Sequence, residues 1–148
     1  RGDNVGFVKI QDDKTIIIPD RSGNNRLDTL ENIIFDPSVG TLFFIPGINT
    51  VLRINGNAFI EDSLEIRAQF EINNNIPKTC IIINIEEIFM HCAKALMRSS
   101  FWDHSKYLSQ TEFPTISKII NDQLNLEDDE QNHEQEDKRY KKQIIEFG

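Results

Sequence analysis

Only two cysteines occur in the 148 residues, Cys80 and Cys92, and neither sits in a CxxC or finger spacing. That excludes a zinc ribbon or a disulfide framework and predicts two reduced, packed thiols. Long apolar runs are also missing. No segment approaches the ~18 uninterrupted apolar residues that span a bilayer, and the first residues contain no apolar signal segment, so a cytoplasmic protein without a membrane partner is expected. Positive charge is the minority, with 16 Lys and Arg against 24 Asp and Glu, a net charge of −8 and a pI near 4.8. A nucleic-acid backbone would meet mostly like charge, so no nucleic-acid partner is expected and any anion site must be local. Walker loops and dinucleotide glycine turns are absent. The acidic run beginning at Glu127 lacks the central glycine and spacing of a calcium loop, and no metal site is expected.

What the chain does have is β-pattern. Val5 to Gln11 and Thr15 to Ile18 flank Asp12-Asp13-Lys14 and predict a hairpin. Val39 to Ile45 is short and apolar, closed by Pro46-Gly47, and predicts a buried strand. Thr50 to Ile60 sets Arg53, Asn55 and Asn57 against Leu52, Ile54 and Ala58 with a two-residue period, and Gly56 marks a bulge or bend within it. Asp62 to Phe70 predicts a short helix, with Asp62 or Ser63 as its cap and Leu64, Ile66 and Phe70 facing a core. Thr79 to Met90 is the longest β-rich run, and Trp102 lies beyond it as a candidate plug for the barrel. Five or six strands with two interspersed helices predict a mainly β (α+β) fold, a small barrel with short peripheral helices.

The segment Ile18-Pro19-Asp20-Arg21-Ser22-Gly23-Asn24-Asn25-Arg26-Leu27-Asp28 takes a strand through a polar turn into a helix start. A helix N-terminus leaves backbone N–H groups unpaired and carries partial positive charge, so it favours an anion, and Arg21 and Arg26 add charge-assisted donors. Asn25 is the expected N-cap with Asp28 at the third helical position, and Leu27, Leu30, Ile33 and Ile34 form the apolar face up to about Phe35. The same spacing also suits a hairpin exit with solvated arginines. The helix is expected to stop before Asp36-Pro37, because proline restricts the residue ahead of it.

Several blocks keep a common order: Ile18-Pro19-Asp20-Arg21, Gly23 to Leu30, Phe44-Ile45-Pro46-Gly47, Leu52-Arg53-Ile54-Asn55-Gly56, His91 to Leu96, Arg98-Ser99 and Trp102-Asp103. Together they resemble the FMN-binding split-barrel proteins, in the branch related to pyridoxamine 5'-phosphate oxidase. The resemblance runs from Arg1 to about Gln123. It implies a split-barrel domain over 1–123, preceded in the family by a further strand or hairpin, and leaves 124–148 as a charged tail. It also implies FMN as cofactor, an oxidoreductase activity, a homodimer, and a small-molecule substrate or electron donor. On this resemblance Arg21 and Arg26 would meet the flavin phosphate, Asn24 and Asn25 would add amide donors, and Pro19 and Asp20 would lie along the ribityl chain. The strand holding Phe7, Val8 and Lys9 would meet the ring edge. Authentic pyridoxamine 5'-phosphate oxidation is disfavoured, since the C-terminal Arg-x-His-Asp-type signature is absent.

His91, Lys94 and Arg98 recur at helical offsets and predict a basic helix face that meets a second phosphate or an anionic substrate, with Trp102 stacking on a flat ring. The alternative is a solvated charge stripe. No orienting third group accompanies His91 and Cys92, and no catalytic residue is assigned. Leu126 to Gly148 is too charged to bury a core of its own and is expected to be disordered or an isolated helix. Three functional classes follow: an FMN-dependent oxidoreductase, a non-catalytic flavin- or haem-related binding protein on the same barrel, and a structural interaction domain.

Overall fold

The apolar run Ile16-Ile17-Ile18 is continuous because both faces of its strand are covered. In the computed structural model, which describes residues 2–23, 26–127 and 131–147, five strands form one antiparallel sheet in the order β1-β2-β5-β4-β3. They are β1 (Lys9–Asp12), β2 (Thr15–Asp20), β3 (Ser38–Phe43), β4 (Val51–Glu61) and β5 (Thr79–His91). With its short helices this is an α+β fold, as expected. β5 is the central strand. Its first half pairs with β2, Ile17 opposite Ile82, and its whole length pairs with β4.

One face of the sheet presents Ile16, Ile18, Ile54, Ala58, Ile81 and Ile83 to Ile33 and Leu30 of α1 (Asp28–Phe35). The opposite face sets Ile17, Cys80 and Ile82 against Phe70 and Ile66, which come from α2 (Leu64–Arg67) and the 3-10 turn after it. The alternation of β2 and β5 therefore serves two small cores. The α1 stripe is narrower than the sequence pattern, since Leu27 and Ile34 are exposed.

Gly56 marks a bulge, as its place in the strand suggests: Asn55 faces Glu87 and Gly56 faces Ile85, leaving Glu86 as the extra residue. A Cβ at Gly56 would lie 2.1 Å from the Asn84 carbonyl oxygen, so glycine is what lets β4 and β5 approach.

Three expectations are corrected in detail. α1 begins at Asp28 rather than Asn25; its first bond runs from Glu31 N–H to the Leu27 carbonyl, and no side chain caps it. Asn24 and Asn25 lie outside the described residues. The first strand starts only at Lys9, because Asn4 to Phe7 is spent on a turn. His91 is the last residue of β5, while Lys94 and Arg98 belong to α3 (Lys94–Arg98), so the three do not share a helix face. The β-branched run before His91 carries the ladder through to that residue, where it pairs with Val51.

By contacts the chain groups into two units, 1–102 and 103–148, and position 123 falls inside α4 (Ile116–Leu124). In the second unit, Thr115 caps α4 by accepting from Lys118 N–H, and the charged tail forms α5 (His133–Phe147). α5 is not isolated. Its Glu136, 5% exposed, accepts from Ser117 N–H at 2.9 Å and Ile116 N–H at 3.2 Å, satisfying donors that the start of α4 leaves open. Burial alone would raise the Glu136 carboxyl, but those amides, the Ser117 side chain and Arg139 outweigh it and leave the group below its ordinary value.

Candidate functional site

A turn brings the N-terminal arm to the end of β2. Phe7 N–H donates to the Asn4 carbonyl at 3.1 Å, and Gly6, at φ +83°, takes the third position, where a side chain would be strained. Asp3, just ahead of this turn, meets the guanidinium of Arg21, with Nε donating to Oδ2 at 2.7 Å. The other carboxylate oxygen accepts from Asn4 N–H at 2.7 Å. Both side chains are largely covered, Arg21 14% and Asp3 16% exposed. Burial pushes the Asp3 carboxyl up, but the Arg21 donor, the Asn4 amide and the Arg21 charge prevail and hold it below the ordinary carboxylate value.

Arg21 lines a cavity of about 260 Å³ together with Lys9, Phe7, Gln69, Phe70 and Glu71. The Lys9 ammonium donates to the Gln69 carbonyl at 2.7 Å and sits 4.9 Å from the centre of the Phe70 ring. That ring is itself packed under Ile17 and Cys80, so the floor of the cavity is fixed by the sheet core. The site thus sets Lys9 over the Phe70 ring, with Arg21, paired to Asp3, and Glu71 also on the lining. Arg21 is already paired with a carboxylate in this geometry. The cavity does not enclose a whole flavin or haem, since pockets that hold ligands of that kind run from about 300 to 1,000 Å³.

The other residues singled out from the sequence are dispersed. Val8 packs against the α1-side core and Pro19 is fully buried in β2. Asp20 ends β2, half-buried. Arg26 is 72% exposed and pairs with Asp28 at 2.6 Å. His91 is exposed, its ring 5.3 Å from Phe89, and Lys94 and Arg98 are exposed at opposite ends of α3. Trp102 donates from Nε1 to the Ile48 carbonyl at 2.9 Å and meets Phe101 edge-on, so its indole anchors a loop.

Asp3, Gln69 and Glu71 escaped the sequence reading. Gln69 and Glu71 flank the core residue Phe70, whose apolar spacing was the one local signal pointing to this turn. The two-residue period of β4 gives its polar row but not the partners of that row, Glu86 and Glu87 on β5. Arg53 donates to Asn55, Asn55 donates to Glu87 and Asn57 donates to Glu86. A further cavity of about 260 Å³ under α1 is lined by Ile18, Thr29, Ile33, Thr41, Ile81 and Ile83 and holds no charged side chain.

No family model and no curated protein matches this chain. Among solved structures it is similar to tagged HupZ from Group A Streptococcus, with 23% identity over 57% of this chain and 68% of that one and a TM-score of 0.46. A histidine-to-alanine variant of that protein aligns with 22% identity over 57% of this chain and 73% of its own, at the same TM-score of 0.46. No functional statement passes from a likeness of this degree to the present chain.

Proposed function

We propose that this chain is a binding protein for a flat-ring cofactor with an acid arm, of the flavin or haem kind, and that it acts without turnover of its own. The observation that carries the reading is the convergence of Arg21 and Lys9 on one cavity floored by Phe70, with a carboxylate already seated on the arginine. FMN is the cofactor implied by the sequence resemblance, and its phosphate suits the planar donor fork of Arg21. A haem propionate offers a smaller negative charge to the same donors. Titration of the protein with FMN, riboflavin and haemin tests the reading: FMN or haemin binds, and riboflavin, which lacks the acid arm, binds more weakly than FMN. Absence of binding by both FMN and haemin overturns it.

Catalysis is the finer reading. A flavin would then supply the redox chemistry and the chain its binding and electrostatics, for a small-molecule electron donor or substrate. Donor-dependent bleaching of the bound flavin, reversed by oxygen over repeated cycles, would favour this over passive binding.

The ring would lie outside this cavity, and the sequence resemblance also implies a homodimer. Ile88 and Met90 leave an exposed apolar patch on one face of the far end of the sheet, and a homodimer would bury it. Light scattering is expected to give twice the monomer mass at micromolar concentration; a monomer would contradict it.

A further inference from the structure

We propose that the cavity under α1 is a second binding site, for a neutral, apolar compound of one or two rings that carries a single hydrogen-bond donor. It is separate from the Lys9 cavity and does not depend on the cofactor reading.

The sheet order places β2 and β3 on opposite sides of the β5-β4 pair, yet Ile18 of β2 and Val39, Gly40 and Thr41 of β3 line one space with Ile81 and Ile83 of β5, so the sheet curls around it. Thr29 and Ile33, one helical turn apart on α1, close it from above. Ile18, Ile33, Ile81 and Ile83 are at most 8% exposed, whereas Thr29 and Gly40 are exposed and stand at the rim. The lining is therefore made by core residues that the fold already holds in place, and the site is preformed.

Its volume of about 260 Å³ exceeds the ~150 Å³ of an apolar cavity that accepts benzene and falls below the ~300 Å³ at which pockets for drug-sized ligands begin. That bounds the occupant to one or two rings. Among the described residues no charged side chain lines the cavity, so a charged ligand would lose its hydration with no partner to replace it. Water gains little there either, since aliphatic side chains offer it no hydrogen bonds. The polar side chains on the lining are two threonines. Thr41 spends its hydroxyl proton on the Ile54 carbonyl at 3.0 Å, which leaves its oxygen to accept rather than donate. A ligand with one N–H or O–H suits that oxygen better than its hydrocarbon isostere does.

Indole is the probe, read from the isoleucine methyl resonances of the parent chain. Saturable shifts are expected at Ile18, Ile33, Ile81 and Ile83 with a midpoint below about 1 mM, while the methyls of Ile88 and Ile145, exposed elsewhere, stay in place. Indole-3-carboxylate is expected to bind at least about tenfold more weakly, because its charge finds no partner. Val39→Phe fills the space and abolishes the shifts. Thr41→Val keeps the shape and removes the acceptor, so indole binds about threefold more weakly and indene, which has no donor, is unchanged. Absence of saturable shifts in the parent chain overturns the site. Equal shifts at Ile88, or indole-3-carboxylate binding as tightly as indole, overturn it as well.

Discussion

The two halves of β5 obey opposite rules. Cys80 to Ile83 are at most 6% exposed, while Ile88 and Met90, as apolar as anything before them, are 58% and 59% exposed. The difference lies in what each half meets. The first half has β2 on one side, β4 on the other, α1 over one face and the Phe70 turn over the opposite one; the second half passes beyond β2 and pairs only with β4. A strand pattern therefore reports that a surface is apolar, and cover from other elements decides whether it is buried.

The largest expected effect is in the covered half. Ile83→Ala should destabilise the first unit by about 2–5 kcal/mol, a cavity-forming change at a site 1% exposed. Chemical denaturation measures it, and a loss under ~1 kcal/mol would erase the contrast. Gly56→Ala, at the junction between the halves, should cost about 1–3 kcal/mol or more, because its Cβ would press on the Asn84 carbonyl. Met90→Ala in the open half should change monomer stability by less than ~0.5 kcal/mol. It should nonetheless weaken self-association, which analytical ultracentrifugation reads directly.

The second unit sharpens the comparison, since its order leans on a polar contact. Glu136 is held in its charged form in the folded state, so its contribution is present above its unfolded value and is lost as pH falls through the folded one. Helicity of a Glu136→Gln variant should therefore melt earlier than the parent at neutral pH, with the difference shrinking on acidification. The smallest effect is chemical: a thiol reagent should modify the exposed Cys92 and spare Cys80, which is buried and whose thiol is pushed up by that burial.

Strand identities were legible because period and apolar content are local. The hairpin at Asp12 to Lys14, the bulge at Gly56 and the helix stop at Asp36-Pro37 all follow from neighbouring residues. What was not legible depended on distant cover or contact. Leu27 and Ile34 share the apolar stripe of α1, yet the sheet reaches only Leu30 and Ile33. His91 has the spacing of a helix face and the position of a strand end, because Val51 extends the ladder to it. In the candidate site, Arg21 was visible as a cation near a turn. Its carboxylate partner was not, since Asp3 and Arg21 are eighteen positions apart with a separate turn between them. Phe70 was visible as core, but nothing local says that Lys9 lies over its ring.

The central claim is that Arg21, rather than the exposed Arg26, holds the acid arm of the ligand. Its most direct test is the ratio of FMN to riboflavin affinity in the parent chain, Arg21→Ala and Arg26→Ala. Loss of a charge-assisted donor is worth about 1.5–3 kcal/mol, so Arg21→Ala should bind FMN at least about tenfold more weakly and reduce the preference over riboflavin, while Arg26→Ala keeps both affinities near the parent. An Arg21→Ala protein that stays folded and retains the full preference for FMN would contradict the account.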